Sequence, residues 1–124
     1  MALILCVDDN ADGLAVRKML LEAFGYEALI ATDGLMGIRL AEQHAFDVVL
    51  LDYEMPGMDG EEVAVILKNR WPTLPIIVLT GSCEHIPERL IKLATKCIDK
   101  TESPRILLTE LQQFNGAKAH RRHI

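Results

Sequence analysis

Asp47-Val48-Val49-Leu50-Leu51-Asp52-Tyr53-Glu54-Met55-Pro56-Gly57-Met58-Asp59-Gly60 decides the fold of this chain. Its first half is a short run of Val and Leu between acids, the pattern of a strand buried on both faces. Strands of that kind belong to parallel sheets, whose neighbours are joined by helical crossovers. The run stops at Asp52 and a turn follows at once. Pro56 fixes φ, Gly57 and Gly60 permit unusual φ, and Asp59 is suited to cap the next helix. A carboxylate therefore stands at the carboxyl end of a central strand, where open α/β sheets put their chemistry. Alone, an aspartate in this position is a turn former. Asp52 gains weight only if acids elsewhere in the chain meet it.

Working outward, the same alternation repeats on both sides. Leu3-Ile4-Leu5-Cys6-Val7 is an apolar run of strand length, ended by Asp8-Asp9-Asn10. Residues 12–24 then take a helical period, with Val16, Leu20, Ala23 and Phe24 on one face and Arg17, Lys18 and Glu22 off it. Gly25 stops that helix. Residues 26–30 read as a strand, and Thr32 and Asp33 offer caps for a helix running to 43 or 44. After the strand at 47–51, Val63, Ile66 and Leu67 mark a helix over about 60–70. Trp71-Pro72 and Leu74-Pro75 bracket the connection to a buried strand at 76–79, which ends at Thr80-Gly81-Ser82. A helix over about 87–93 and a weaker strand at 96–98 follow, then Asp99-Lys100. Ser103 as cap and Pro104 at the first helical position open a last helix. It carries Leu107, Leu111 and Phe114 inward and ends near Asn115-Gly116. Five strands alternating with five helices predict a three-layer, doubly wound (βα)5 sheet of the flavodoxin-like kind, α/β in class. The expected parallel strand order is 2-1-3-4-5.

The chain has 124 residues, enough for one domain, expected over 1–116 with a basic tail at 117–124. The tail mixes Lys118, His120, Arg121, Arg122 and His123 and reads as a solvated end. Half the residues are apolar, and a chain of this length buries roughly two thirds of its unfolded surface. A net charge of −5 and a pI near 5.3 argue against nucleic acid or an anionic membrane as a partner of this domain. No signal peptide is expected, because Met1-Ala2 has no basic region and the first apolar run stops at acids. No stretch approaches the ~20 apolar residues of a membrane span. The three cysteines are odd in number and lack any zinc spacing. Cys6 and Cys97 sit in apolar runs as small core residues, Cys83 in a loop, and the usage fits a reducing, cytoplasmic compartment.

The expected strand order brings several chemistry-bearing residues to one edge. The first strand delivers Asp8 and Asp9, the third Asp52, the fourth Thr80 and the fifth Lys100. Three carboxylates so close repel, one pair at ~4 Å costing about 4 kcal/mol at an effective dielectric near 20. Such a cluster takes up a proton or binds a hard cation, for which Mg²⁺ (or Mn²⁺) is suited. A hydroxyl and an ammonium beside it suit phosphoryl oxygens. Together these groups describe a site that forms an acyl phosphate on an aspartate. Each piece has a plainer role: Asp8 and Asp9 as helix caps, Asp52 as a turn residue, Thr80 as a strand end, Lys100 as a solvated charge. Their agreement at one edge is what outweighs those roles.

Residues 2–116 resemble a response-regulator receiver domain of two-component signal transduction. The residues that carry the resemblance are Asp8-Asp9, Asp52 with Met55-Pro56-Gly57-Met58-Asp59-Gly60, Thr80 and Lys100. The resemblance implies that Asp52 accepts a phosphoryl group from a phosphohistidine on a histidine kinase or phosphotransfer protein. It also implies a conformational signal to an output domain or downstream protein. It further implies Mg²⁺ held by Asp9, by Asp8 largely through water, by Asp52 and by the backbone carbonyl of Glu54. Thr80 and Lys100 would contact the phosphoryl oxygens. The domain is then a phosphoacceptor that assists its own chemistry rather than an enzyme with a separate substrate. Whether it self-associates stays open.

Three departures from the family pattern stand out. Thr101 follows Lys100 where the family has proline after a cis bond, so a trans bond is expected. Cys97 replaces an aromatic, and the segment from Thr80 to Lys100 is short by about two residues, which predicts a trimmed fourth helix. Three alternatives share this fold class. A binding module that is never phosphorylated would not need to keep all these groups. A flavin carrier would need a phosphate cradle after the first strand, where Asp8-Asp9-Asn10-Ala11-Asp12 repels phosphate. An aspartyl phosphatase would need a substrate pocket or cap segment, which the sequence does not offer.

Overall fold

Every apolar run of the sequence becomes a strand of one sheet. The computed structural model describes residues 2–114. The strands are β1 (Leu3–Val7), β2 (Glu27–Ala31), β3 (Val48–Asp52), β4 (Ile76–Thr80) and β5 (Lys96–Asp99). Between and after them run α1 (Ala11–Ala23), α2 (Gly34–Gln43), α3 (Gly60–Arg70), α4 (Glu88–Leu93) and α5 (Pro104–Leu111). Two 3₁₀ turns lie at Cys83–His85 and Gln112–Phe114. The sheet is parallel in the order β2-β1-β3-β4-β5, as the alternation predicts. Register is fixed by the middle strand, where Leu50 stands between Cys6 and Ile77.

Period-two alternation in β3 splits the core in two. Val48 and Leu50 join Leu14, Leu21, Leu107, Leu111 and Phe114 under α1 and α5. Val49 and Leu51 join Ile38, Val63, Leu67 and Leu90 under α2, α3 and α4. All five residues of β3 are buried. Each fully buried aliphatic side chain contributes about 1.5–3 kcal/mol, so the strand carrying Asp52 is held from both faces. Its entry is held too: the buried Asp47 carboxylate accepts from the Leu3 amide at 2.7 Å, tying β3 to the start of β1.

The turn after β3 follows its sequence. Gly57 has φ +77°, which L side chains rarely adopt. A Cβ on Gly60 would stand 2.7 Å from the Asp52 carbonyl oxygen, so only glycine lets α3 begin this close to the strand. Asp59 accepts from the Glu62 amide while Glu62 accepts from the Asp59 amide, a reciprocal cap that fixes the start of α3.

Three expectations need correction. In α1 the buried residues are Leu14 and Leu21, while Val16 and Phe24 are 67 % and 60 % exposed. Arg17 and Lys18 turn toward the sheet because each has a partner there: Arg17 faces Asp8, and Lys18 donates to the Ala28 carbonyl at 2.6 Å. Helix α1 is capped by Asn10, whose side chain accepts from the Gly13 amide, so neither Asp8 nor Asp9 acts as the cap. Cys83 and Cys97 are joined as a disulfide with Cα atoms 6.0 Å apart, and only Cys6 is free. The two stand fourteen positions apart, on either side of one crossover, which returns the chain to the neighbouring strand and brings the pair together. Cys97 still packs against the core, as its apolar run suggested. The strands β2 and β3 each start and end one residue later than their sequence pattern suggests.

The short α4 has six residues, as the trimmed segment predicts. No described peptide bond is cis, so Lys100–Thr101 is trans. Among the described residues, no helix is long and apolar enough to cross a membrane. The last helix, expected to end near Asn115-Gly116, stops as an α-helix at Leu111 and continues as the 3₁₀ turn Gln112–Phe114; Asn115, Gly116 and the tail at 117–124 lie outside the described residues.

Candidate metal centre at the carboxyl edge

Asp8 follows the last residue of β1, and its amide donates to the Ala31 carbonyl of β2 at 3.1 Å. That bond holds the start of the loop against the sheet. Asp52 is the last residue of β3, and its side chain is buried like that of Asp8. Asp9 comes next after Asp8 and is exposed. Each of the three offers a carboxylate oxygen, and these atoms lie within 4.8 Å of one another. Oxygen ligands in this number and of this charge fit a hard divalent cation.

Two cations answer the acids from the protein itself. The Lys100 ammonium, at the end of β5, sits 2.9 Å from Asp52 Oδ1 and 3.3 Å from Asp8 Oδ2. The Arg17 guanidinium reaches Asp8 Oδ2 at 3.6 Å from α1. The site still carries an acid more than its bases, and Asp52 shows the strain. Burial, with Asp8 adding to it, pushes the Asp52 carboxyl up to about 6 against the pull of Lys100. Burial acts on Asp8 as well, but bonds from the Asn10 amide, Asp52 and Lys100 outweigh it and hold Asp8 below the ordinary carboxylate range. Burial would lower Lys100, yet its contacts with Asp52 and then Asp8 raise it. Of the pair, Asp52 is the acid pushed toward its protonated form and Asp8 the one kept ionised.

Three backbone amides shape the mouth. The Glu54 amide donates to Asp52 Oδ1 at 3.2 Å, fixing one rotamer of the buried acid. Thr80 ends β4 buried; its hydroxyl oxygen accepts from the Ser82 amide at 3.4 Å and its carbonyl from the Lys100 amide at 2.7 Å. Every residue expected at the site lies at this edge of the sheet. Sequence reading missed Arg17. The signal was there, since Arg17 falls between Leu14 and Leu21 on the buried stripe of α1.

The profile of the family described as "Response regulator receiver domain" matches residues 4–112. The chain belongs to that family. Solved receivers carry the same fold over nearly their whole length. One is the response regulator TrrA of Thermotoga maritima in complex with Mg²⁺-BeF. It is 28 % identical with a TM-score of 0.85, over 92 % of this chain and 99 % of that one. The same regulator in complex with the histidine kinase ThkA gives 29 % and 0.84, over 92 % and 98 % of the two chains. Among curated proteins, the sensor protein GacS of Pseudomonas syringae is 38 % identical over 63 % of this chain but only 9 % of its own length. The transcriptional regulatory protein KdpE of Mycobacterium tuberculosis is 38 % identical over 65 % of this chain and 35 % of its own. The receiver thus spans about a tenth to a third of those relatives, which carry further parts.

Proposed function

We propose that this receiver accepts a phosphoryl group on Asp52 from a phosphohistidine of a histidine kinase or phosphotransfer protein, with Mg²⁺ bound at the acid cluster. The observation that carries the reading is the buried Asp52 carboxylate. It lies with two further carboxylates inside 4.8 Å and an ammonium at 2.9 Å. An oxygen of the ionised Asp52 carboxylate bonds to phosphorus and the N–P bond to the donor histidine breaks, its electron pair passing to that nitrogen; with the proton already on the other ring nitrogen, the imidazole leaves neutral. Asp8, Asp9, Asp52 and the backbone carbonyl of Glu54 would hold the metal. Bound there, the metal supplies charge neutralisation for the phosphoryl oxygens. Lys100 leaves its bridge to the acids for a phosphoryl oxygen, and the Thr80 hydroxyl donates to another. Burial keeps bulk water from the acyl phosphate. The proposed unit is the stretch 1–116, acting in the cytoplasm and signalling to an output domain or a downstream protein, on the strength of the family resemblance. The complex of TrrA with ThkA supports a histidine kinase as the donor.

The test uses a small acyl phosphate as donor, with Mg²⁺, and intact mass and peptide mapping as readout. One phosphoryl group should appear on Asp52, none in Asp52→Asn and none in the presence of a chelator. Phosphate on another residue, or none on the wild type, overturns the reading. The second of these results would favour a receiver-fold binding module that is not phosphorylated.

A further inference from the structure

The two cysteines of the disulfide lie on either side of the candidate site's own residues. Cys83 comes three residues after Thr80, and Cys97 three residues before Lys100. Thr80 and Lys100 end the neighbouring strands β4 and β5, joined by the Lys100 amide donating to the Thr80 carbonyl at 2.7 Å. The crossover between the cysteines contains the 3₁₀ turn at Cys83–His85 and α4. The disulfide therefore fastens the turn after β4 to β5. The same turn is linked to Thr80, whose hydroxyl oxygen accepts from the amide of Ser82, the residue just before Cys83. A change in where the Thr80 hydroxyl points breaks that bond and frees the Ser82 amide, so the turn and the hydroxyl are linked.

We propose that Cys83 and Cys97 form a reversible dithiol–disulfide site, and that its oxidation weakens uptake of a phosphoryl-like anion at Asp52 by clamping the turn after β4. The coupling rests on the phosphoacceptor reading; the thiol chemistry does not. Both cysteines are part-exposed, so a small reagent reaches them, and a Cα separation of 6.0 Å lies within the range disulfides span. The oxidant is a low-molecular-weight disulfide such as oxidised glutathione. One protein thiolate attacks it, forming a mixed disulfide and releasing one small thiol. The second protein thiolate attacks that bond, forming the Cys83–Cys97 link and releasing the other small thiol. Two protein thiols are oxidised, and one small disulfide is reduced to two thiols. Cys6 provides the internal control: it is fully buried, and burial pushes its thiol up to about 12. In cytoplasmic proteins, disulfides of this kind are typically transient or sensing rather than structural.

The test takes the full chain through glutathione buffers of graded potential, with thiol trapping and peptide mapping. The link between Cys83 and Cys97 should fill and empty reversibly, with Cys6 trapped only after unfolding. Beryllofluoride affinity, measured with Mg²⁺ by calorimetry, should be about fivefold or more weaker for the oxidised form, the lower end of usual couplings between sites. By reciprocity, beryllofluoride should shift the glutathione midpoint toward the reduced form by the same factor. Cys83→Ser and Cys97→Ala should match the reduced wild type in both buffers. A link that never forms, that forms between other cysteines, or that leaves the affinity unchanged overturns the proposal. If neither form binds beryllofluoride, the phosphoacceptor reading fails with the coupling, while the trapping data still report on the thiols.

Discussion

Asp52 bears the cost of the site. Its carboxyl is 1 % exposed and pushed up to about 6, by burial first and Asp8 second, against the pull of Lys100. A raised acid binds its proton more tightly in the fold than in the unfolded chain, so its ionisation costs stability. The cost is absent below the ordinary carboxylate value, grows as pH rises to about 6, and is full above it. Asp8 works in the opposite sense, but its stabilisation is lost only below the ordinary carboxylate range, outside that window. We therefore expect Asp52→Asn to stabilise the metal-free protein by on the order of 2 kcal/mol at pH 8, from the free-energy value of a pKa difference. The gain should shrink toward zero as pH falls below 5. Urea melts in a chelator across about pH 3.5–8, which spans that window, measure it. A gain independent of pH, or a loss at pH 8, would count against the proton assigned to Asp52.

Elements explain both what the sequence disclosed and what it concealed. The central strand was legible because five consecutive buried residues leave one pattern, and the turn after it because each residue there answers a backbone need. The acids, Thr80 and Lys100 were legible because a strand order alone puts strand ends at one edge. Helix α1 was misread because its buried stripe contains two bases. Hydropathy counts Arg17 and Lys18 as outward, whereas their charges are answered at the sheet by Asp8 and the Ala28 carbonyl. The disulfide was hidden because cysteine spacing along the chain says nothing of a crossover that returns to the adjacent strand. The α1 correction has a measurable consequence. Arg17 sets a positive charge 3.6 Å from Asp8, in a part-buried position where screening is incomplete. Arg17→Met keeps the apolar stem and removes that charge, so Mg²⁺ should bind at least about fivefold more tightly, the lower bound set by the roughly 1 kcal/mol of one charge at ~4 Å under full water screening. Calorimetric titration with Mg²⁺ tests it. Affinity unchanged or weakened in Arg17→Met would mean that the guanidinium does not oppose the metal.

At the scale of the whole molecule, the fold leaves little on the β5 side with which to pair. The edge strand β5 has four residues, and its first, Lys96, is exposed and lies 3.9 Å from Glu110 on α5. A short edge carrying a lysine resists strand pairing. Helix α4 is six residues, about 9 Å long at the usual rise per residue. Among the described residues, the exposed large apolar ones of this side are Ile91 on α4 and Ile106 on α5. Stable interfaces bury about 1,200–2,000 Å² with a desolvated apolar centre, and two isolated isoleucines flanking a charged edge do not supply one. Cys97 has neither the bulk nor the freedom to remodel this surface on phosphorylation, being small, packed against the core and bonded to Cys83. We expect the receiver to act as a stand-alone or relay unit and not as a phosphorylation-driven dimer formed through α4, β5 and α5. Sedimentation velocity at about 50 µM, well above the Kd of a functional micromolar pair, should give one monomer boundary with or without Mg²⁺ and beryllofluoride. A beryllofluoride-driven dimer that Ile91→Glu or Ile106→Glu abolishes would show that this face suffices without an aromatic at position 97.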